Sequence, residues 1–151
     1  MKIDCEISTF LDNEKFATIA YLQEDGAPYC FNCMYLFNRR QGLMYFKSSP
    51  ASKHAECIQK DNRVSGSVLP VRPDLLALKG VQFAGNIITE FDHSYNKAVR
   101  RYHLAFPLAL TIPGKVFVIK LEEIKLTDNS FRFGKKFIWK RENTLDLVPV
   151  I

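Results

Sequence analysis

The sequence predicts a mainly β protein, a closed or split antiparallel β-barrel of about six or seven strands with two or three helices. Three observations support this prediction. About six or seven segments carry the apolar, β-branched and aromatic residues that are typical of strands. Most of them are linked by short turns, as in hairpins. The chain also lacks the GxGxxG and Walker motifs that would favour a parallel doubly wound sheet.

The first third of the chain is predicted to be a short helix followed by an antiparallel meander. The helix occupies the first dozen residues, and its apolar side carries Ile3, Ile7, Phe10 and Leu11. A buried strand follows at 16–22, and Gly26 lies in a hairpin turn where it can adopt a positive φ without steric cost. Strands are predicted next at 28–37 and 43–47.

The rest of the chain mixes two helices with longer strands. Ser49 and Pro50 have the form of an N-cap followed by proline at the first helical position, so a helix is predicted to begin there. Pro107 is expected to end a second helix. The predicted elements are the helix from Ser49, strands at 64–68 and 78–91 (with a bulge or bend at Gly80 and Gly85), the helix at 94–106, and strands at 116–126 and 131–139.

Composition indicates a single globular domain over residues 1–151. The 151 residues are 47% hydrophobic and 25% charged, which are ordinary values for such domains. The longest apolar runs are far too short to cross a bilayer, and the N-terminal residues lack the apolar segment of a secretory signal, so we expect a cytoplasmic protein with no membrane contact. The net charge of +5 suits an anionic partner: a nucleic acid, a nucleotide or a phosphorylated cofactor.

Four cysteines without an export signal predict free thiols. Cys30 and Cys33 form a CxxC, but on a strand an odd separation sends the two sulfurs to opposite faces. No second CxxC or histidine pair supplies the remaining ligands of a zinc site. We therefore interpret these cysteines as small buried hydrophobes and predict no metal.

The segment from Lys47 to His54 carries the strongest candidate site. A strand is expected to end there and a helix to begin, and helix N-termini attract anions. Ser48, Ser49, Lys47 and Lys53 lie at this junction, so Lys53 is predicted to bind a phosphate group. The alternative, a surface lysine beside an ordinary serine cap, stays open on spacing alone.

Two other features allow a binding role and a structural one. Gln82, between Gly80 and Gly85, could form hydrogen bonds from its side-chain amide to the edge of a heteroaromatic ring, or it could simply face solvent. Positions 132–141 carry five basic residues interleaved with aromatics, which suits single-stranded nucleic acid but equally the buried side of an edge strand. His54, His93 and His103 are scattered without metal-ligand spacing, and no nucleophile–base pair is evident, so no catalytic residue is assigned.

The order of these motifs resembles the pyridoxamine 5′-phosphate oxidase-like, FMN-binding split-barrel superfamily. The motifs are Gly26-x-Pro28-Tyr29, Gly42 before an aromatic strand, the Ser/Lys helix start, Asn62-Arg63-Val64-Ser65 and Gly80-Val81-Gln82. The C-terminal half, with Arg101-x-x-x-x-Phe106-Pro107, Thr127-Asp128-Asn129 and Lys135-Lys136-x-Ile138-Trp139, resembles a narrower, uncharacterised bacterial branch.

The resemblance implies a homodimer that binds FMN at the subunit interface. It implies that Lys53 contacts the FMN phosphate and that Gln82 lies near the flavin ring. The segment Phe31, Asn32, Cys33 and Met34 matches the one that runs along the isoalloxazine, and Phe46-Lys47 match the site pair at the end of the next strand. Either Trp139 or the Lys135-Lys136 pair is implied to reach the site from the partner subunit.

The chain also departs from the oxidase itself, which carries arginine where this sequence has Phe31 and Ser52 and lysine where it has Leu36. The C-terminal Arg-x-His segment that holds the oxidase's substrate has no counterpart. We therefore expect an FMN-dependent oxidoreductase of another substrate rather than a pyridoxamine 5′-phosphate oxidase. The alternatives are a non-enzymatic flavin carrier or sensor and, resting on positions 132–141 alone, a nucleic-acid-binding barrel.

Overall fold

The computed structural model describes residues 2–88, 95–130 and 134–142. They form three α-helices, one 3₁₀ helix and seven strands. In chain order these are α1 (Cys5–Asn13), β1 (Phe16–Leu22), β2 (Pro28–Asn38), β3 (Leu43–Ser48), α2 (Lys53–Lys60), β4 (Arg63–Val68), β5 (Lys79–Ile87), α3 (Tyr95–Ala105), the 3₁₀ helix Pro107–Thr111, β6 (Lys115–Asp128) and β7 (Lys135–Lys140).

All strand pairs are antiparallel, and six strands close into a barrel. Neighbours follow the order β3-β2-β1-β4-β5-β6, and β3 also pairs with β6 to close the ring. β7 adds to β6 as a seventh strand. The predicted mainly β split barrel is therefore confirmed, including the meander of the first three strands.

The length of β6 creates the split. Residues 115–120 of β6 pair with β3, and residues 123–128 pair on the same edge with β7, while β5 occupies the opposite edge. β3 and β7 thus share one edge of a single long strand and diverge from it at Leu121. A register shift between Ala84 and Gly85 confirms the irregularity predicted at Gly85.

Two cores flank the barrel wall. Alternate residues of every strand face the interior, where they pack with the apolar sides of α1 and α2, as alternation on a strand requires. Representative members are Ile7, Leu11, Ile19, Phe46, Ile58, Phe83 and Leu126. The other face of β3 and of the first half of β6 is covered by α3 and the 3₁₀ helix, which bury Tyr45, Tyr102 and Val118.

Most element boundaries agree with the sequence analysis, but α1 begins only at Cys5, and Ile88 and Gly134, both predicted to lie in strands, fall outside β5 and β7. Two further differences concern the start of α2 and the chain after α3. Ser52, not Ser49, caps α2: its hydroxyl accepts from the Ala55 amide at 3.3 Å, and Ser49 instead begins the preceding turn. The prediction failed because both serines satisfy the capping rule. The chain beyond Pro107 forms a 3₁₀ helix where only a helix end was predicted. Residues 89–91, Ser94 and 131–133 of the predicted elements lie outside the described residues.

Candidate functional site

The junction between β3 and α2 brings serine hydroxyls to the start of a helix. Ser48 is the last residue of β3, and Ser49 and Ser52 bound the turn that leads into Lys53, the first residue of α2. The Ser52 hydroxyl donates to the Ser49 carbonyl at 2.7 Å, and the Ser49 hydroxyl accepts from the Ala51 amide at 3.3 Å. First-turn helix amides lack intrahelical partners, so the junction concentrates hydrogen-bond donors.

His54 completes this junction, and sequence reasoning missed it. Its Nε2 lies 2.6 Å from the Ser48 Oγ and 3.0 Å from the Ser52 Oγ. The ring stacks on Phe31 with centroids 3.8 Å apart and an interplanar angle of 11°. Partial burial lowers the pKa of the imidazole below its ordinary value. The only sequence signal was its position two residues after the capping serine, which spacing rules for metals or catalytic pairs do not detect.

The two lysines predicted at the junction point in different directions. Lys53 is exposed, and its ammonium lies 5.6 Å from the centre of the Tyr29 ring. Lys47 lies on the opposite face of β3, where its Nζ donates to the Ala109 carbonyl and lies 3.4 Å from His103 Nε2. Lys53 is therefore the lysine placed beside the serines, whereas Lys47 anchors the 3₁₀ helix.

The segment 31–34 alternates between the two sides of the barrel wall. Phe31 and Cys33 are half-buried against the interior core, and burial raises the pKa of the Cys33 thiol to about 12. Asn32 and Met34 are exposed on the outside. Phe46 is fully buried and stacks on Phe117 at 5.2 Å. One flat ligand can contact the outer pair of side chains or the inner pair, but not both.

A polar row crosses the outer surface of the barrel. The pairing register aligns Asn32 with Thr18, Thr18 with Ser67, and Ser67 with Gln82 on four neighbouring strands. Thr18 donates its hydroxyl hydrogen to the Asn32 side-chain oxygen at 2.7 Å. Asn32 and Gln82 are both exposed, but three strand spacings separate them by about 14 Å. Within one chain, the Asn32 and Gln82 side chains cannot contact the same atom of a ligand.

Residues of β7 divide into buried and exposed candidates. Trp139 is buried in the core of its own chain, and its Nε1 has no hydrogen-bond partner among the described residues. Phe137 faces the same core, which favours the interpretation of the aromatics as the inner side of an edge strand. Lys135 and Lys136 are exposed. Arg132 and Phe133 lie outside the described residues.

The cysteines only partly follow the prediction. Cys30 and Cys33 point to opposite faces, as expected, and Cys57 is buried. Cys30 is exposed, so its interpretation as a buried hydrophobe was wrong; none of the helices in the described residues covers this outer side of β2. Over the described ranges, no group of three metal-ligating side chains occurs, and no helix is long and apolar enough to cross a membrane.

Comparison with known proteins gives one group of sequence relatives and several structural likenesses. The UPF0306 protein YhbP of Escherichia fergusonii is 32% identical over 137 residues, which cover 91% of this chain and 92% of that protein. No family model matches the chain.

Solved structures show what the fold is similar to. A heme binding protein from Mycobacterium smegmatis matches with a TM-score of 0.75 and 18% identity, over 89% of this chain and 56% of that one. A pyridoxamine 5′-phosphate oxidase-related, FMN binding protein from Nostoc punctiforme PCC 73102 matches with a TM-score of 0.62 and 12% identity, over 85% and 82%. The fold is that of the pyridoxamine 5′-phosphate oxidase-like split barrels, which confirms the resemblance drawn from the sequence.

Proposed function

The chain belongs to the UPF0306 family, and from that premise we propose that it binds FMN on its split barrel, in a site completed by a second copy of the chain. We further propose that it is an FMN-dependent oxidoreductase rather than a passive carrier. Similar folds include the FMN binding protein from Nostoc punctiforme, and this likeness supports a flavin ligand.

The arrangement at the start of α2 carries this proposal. A phosphate monoester needs several hydrogen-bond donors and a cation, and the junction offers the hydroxyls of Ser48 and Ser49, the first-turn amides and the exposed ammonium of Lys53. The exposed ring of Tyr29 lies beside Lys53. The donor chemistry at this junction fits the phosphate of FMN.

The polar row on the outer surface supports a site shared between two chains. Asn32 and Gln82 lie about 14 Å apart in one chain, too far for both to contact the same part of a flavin ring, whereas the Gln82 of a partner chain could face Asn32 across the ring. The surface between them is made of small uncharged side chains that are exposed or half-buried in the single chain, namely Thr18, Ala20, Cys30, Ser65, Ser67 and Ala84. In this arrangement the exposed Lys135 and Lys136 are better placed than Trp139 to reach a neighbouring subunit.

Bound FMN would supply hydride-transfer chemistry, and the protein would supply orientation and electrostatics. Ser48, Ser49 and Lys53 would hold the phosphate, and Asn32, Met34 and Gln82 would border the ring. No described side chain is assigned as a proton donor or acceptor to a substrate.

Heme is the second candidate, because the fold is also similar to the heme binding protein from Mycobacterium smegmatis. A histidine that binds heme iron must offer a ring nitrogen that is not engaged in a hydrogen bond. In this chain Nε2 of His54 contacts two serine hydroxyls, and Nε2 of His103 lies 3.4 Å from the Lys47 ammonium. Heme binding through Nε2 of either histidine in the described residues would break these contacts, so neither of these two nitrogens is well suited to bind iron.

The test is a titration of the purified protein with FMN, riboflavin and heme, followed by absorbance. Lys53→Ala should weaken FMN binding about tenfold and leave riboflavin binding unchanged, because riboflavin lacks the phosphate. Lys60→Ala, at the other end of the same helix, is the matched control and should bind FMN like the parent.

Equal FMN affinity of the Lys53→Ala variant and the parent would contradict the phosphate assignment. A Soret band without flavin binding would favour heme. Binding of single-stranded nucleic acid with a steep salt dependence, and of no flavin, would favour the nucleic-acid interpretation. Bleaching of bound FMN by NADPH would support an oxidoreductase over a carrier.

A further inference from the structure

We propose that His54 is a positioning residue of the phosphate site: its Nε2–H holds the oxygen of Ser48, so that the Ser48 hydroxyl hydrogen is left to donate to a phosphate oxygen of the ligand. This inference rests on the proposed function and concerns the same site. It assigns a role to a side chain that neither sequence motifs nor family resemblance singled out.

The hydrogen bonds of Ser52 show which atom is the donor in its contact with His54. The Ser52 hydroxyl has one hydrogen, which it donates to the Ser49 carbonyl at 2.7 Å. Its oxygen already accepts from the Ala55 amide as the cap of α2. Its contact with His54 Nε2 at 3.0 Å is therefore favourable only if Nε2 carries a hydrogen. The geometry assigns the Nε2–H form to His54.

The same hydrogen then determines the role of Ser48. Nε2 lies 2.6 Å from the Ser48 Oγ, so in the Nε2–H form its one hydrogen is shared between the Ser48 and Ser52 oxygens, and the Ser48 oxygen accepts. A serine hydroxyl that accepts still has its own hydrogen to give. With Nε2 unprotonated, Ser48 would instead donate to the imidazole and would present only lone pairs to an anion, which repel it.

The ring is held where this role requires it. It stacks on Phe31 at 3.8 Å, with Tyr21 at 6.3 Å, and it projects from the second residue of α2 back toward the end of β3. Stacking fixes the plane of the imidazole, and the plane fixes the direction of the Nε2–H bond. Partial burial lowers the pKa of His54, which favours the neutral ring at pH 7.

The experiment measures the ratio of FMN affinity to riboflavin affinity in four proteins: the parent, His54→Phe, His54→Gln and Ser48→Ala. Phenylalanine keeps a ring for the Phe31 stack but has no donor, whereas the amide nitrogen of glutamine can occupy the place of Nε2. The ratio isolates the phosphate contact, because a general loss of packing weakens both ligands alike.

We expect the ratio to fall about tenfold or more in His54→Phe and in Ser48→Ala, since a hydrogen bond to a charged group is lost in each. His54→Gln should restore most of it. The double variant His54→Phe/Ser48→Ala should be no worse than Ser48→Ala, because His54 acts through Ser48.

The outcomes distinguish failure of this inference from failure of the proposed function. A parent that prefers FMN while His54→Phe keeps the same ratio overturns the role of His54 and leaves the FMN site standing. Additive losses in the double variant overturn the action through Ser48. A parent that does not bind FMN overturns the proposed function and this inference with it.

Discussion

The guanidinium of Arg141 donates a hydrogen bond to the carbonyl oxygen of Gly42 over 2.8 Å. The same side chain donates to the carbonyls of Leu121 at 2.8 Å and Gln41 at 2.9 Å and lies 5.3 Å from the centre of the Trp139 ring. Leu121 is the point at which the edge of β6 passes from β3 to β7. Arg141 therefore bridges the split of the barrel by donating to carbonyls on both sides of the point where the strands diverge.

Arg141→Ala should lower the free energy of unfolding by about 2–3 kcal/mol, because three carbonyls lose a charged donor. Arg141→Lys should lose less, since a lysine keeps the charge but cannot reach three acceptors in a planar fork. Urea denaturation measures both. The exposed neighbour Lys140, which forms a surface ion pair with Glu123, supplies the control Lys140→Ala, with an expected change below about 0.5 kcal/mol. Equal losses in the two alanine variants would contradict the bridging role.

Asp128 should make stability depend on pH. It is buried at the end of β6, where the Ser130 hydroxyl and then the Lys79 ammonium, 3.0 Å away, lower the pKa of its carboxyl. A pKa below the unfolded value means that this stabilisation is present above the unfolded pKa and is lost as pH falls through the folded pKa. Asp128→Asn should therefore cost about 1–3 kcal/mol at pH 7 and progressively less below about pH 4.

Thermal unfolding of the parent and of Asp128→Asn from pH 7 to pH 3 measures this difference. Glu142→Gln, at an exposed position, is the control for the loss of one negative charge. A difference between parent and Asp128→Asn that stays constant over this pH range would show that the carboxylate is not stabilised by its neighbours.

Most of the fold was predictable because it depends on local patterns. Alternating burial in β1 and the turn at Gly26 fix the first hairpin, and the structure gives β1 the predicted bounds, 16–22. The closure of β3 on β6 was not predictable, because it joins segments about 70 residues apart and no local residue pattern specifies that pairing. Whether Ser49 or Ser52 caps α2 depends on the path of the chain between the end of β3 and the start of α2. That path is set by tertiary packing, which the local sequence does not show.

The candidate site was predictable in its anchor and not in its arrangement. A lysine after serines at a strand-to-helix boundary marked Lys53, since helix N-termini have the same chemistry in every fold. The direction of Lys47 depends on the 3₁₀ helix that supplies the Ala109 carbonyl, and the role of His54 depends on Phe31, which lies on a different strand. Neither neighbour is near in sequence, so spacing could not reveal them.

Thiol labelling should distinguish Cys5, Cys30 and Cys33. Cys5 is exposed and should react quickly with a disulfide reagent at pH 8, whereas Cys33, whose pKa burial raises to about 12, has roughly one thiolate in ten thousand at that pH and should react slowly. Cys30 is exposed in the single chain but lies on the surface proposed to face a second copy. Its rate should fall as protein concentration rises.

Mass spectrometry of each labelled peptide at two protein concentrations measures these rates. Cys5, on α1 and away from the polar row, is the internal control and should not change with concentration. Fast labelling of Cys30 at every concentration would contradict a dimer through the outer face of β2, and fast labelling of Cys33 would contradict its burial.

Gly85 should tolerate a side chain less well than Gly26, although Gly26 has the more unusual backbone. A Cβ on Gly85 would overlap the Lys120 carbonyl oxygen and lie 3.1 Å from the Leu121 Cα, both backbone atoms of the central strand β6. Gly26 has a φ of +81°, but a Cβ there would meet nothing within 4 Å. Gly85→Ala should cost about 3 kcal/mol through overpacking, and Gly26→Ala about 1 kcal/mol through backbone strain. Urea denaturation measures the free energy of unfolding of both variants. If Gly85→Ala loses no more of it than Gly26→Ala does, β5 and β6 can separate at their bulge without disturbing the closed barrel.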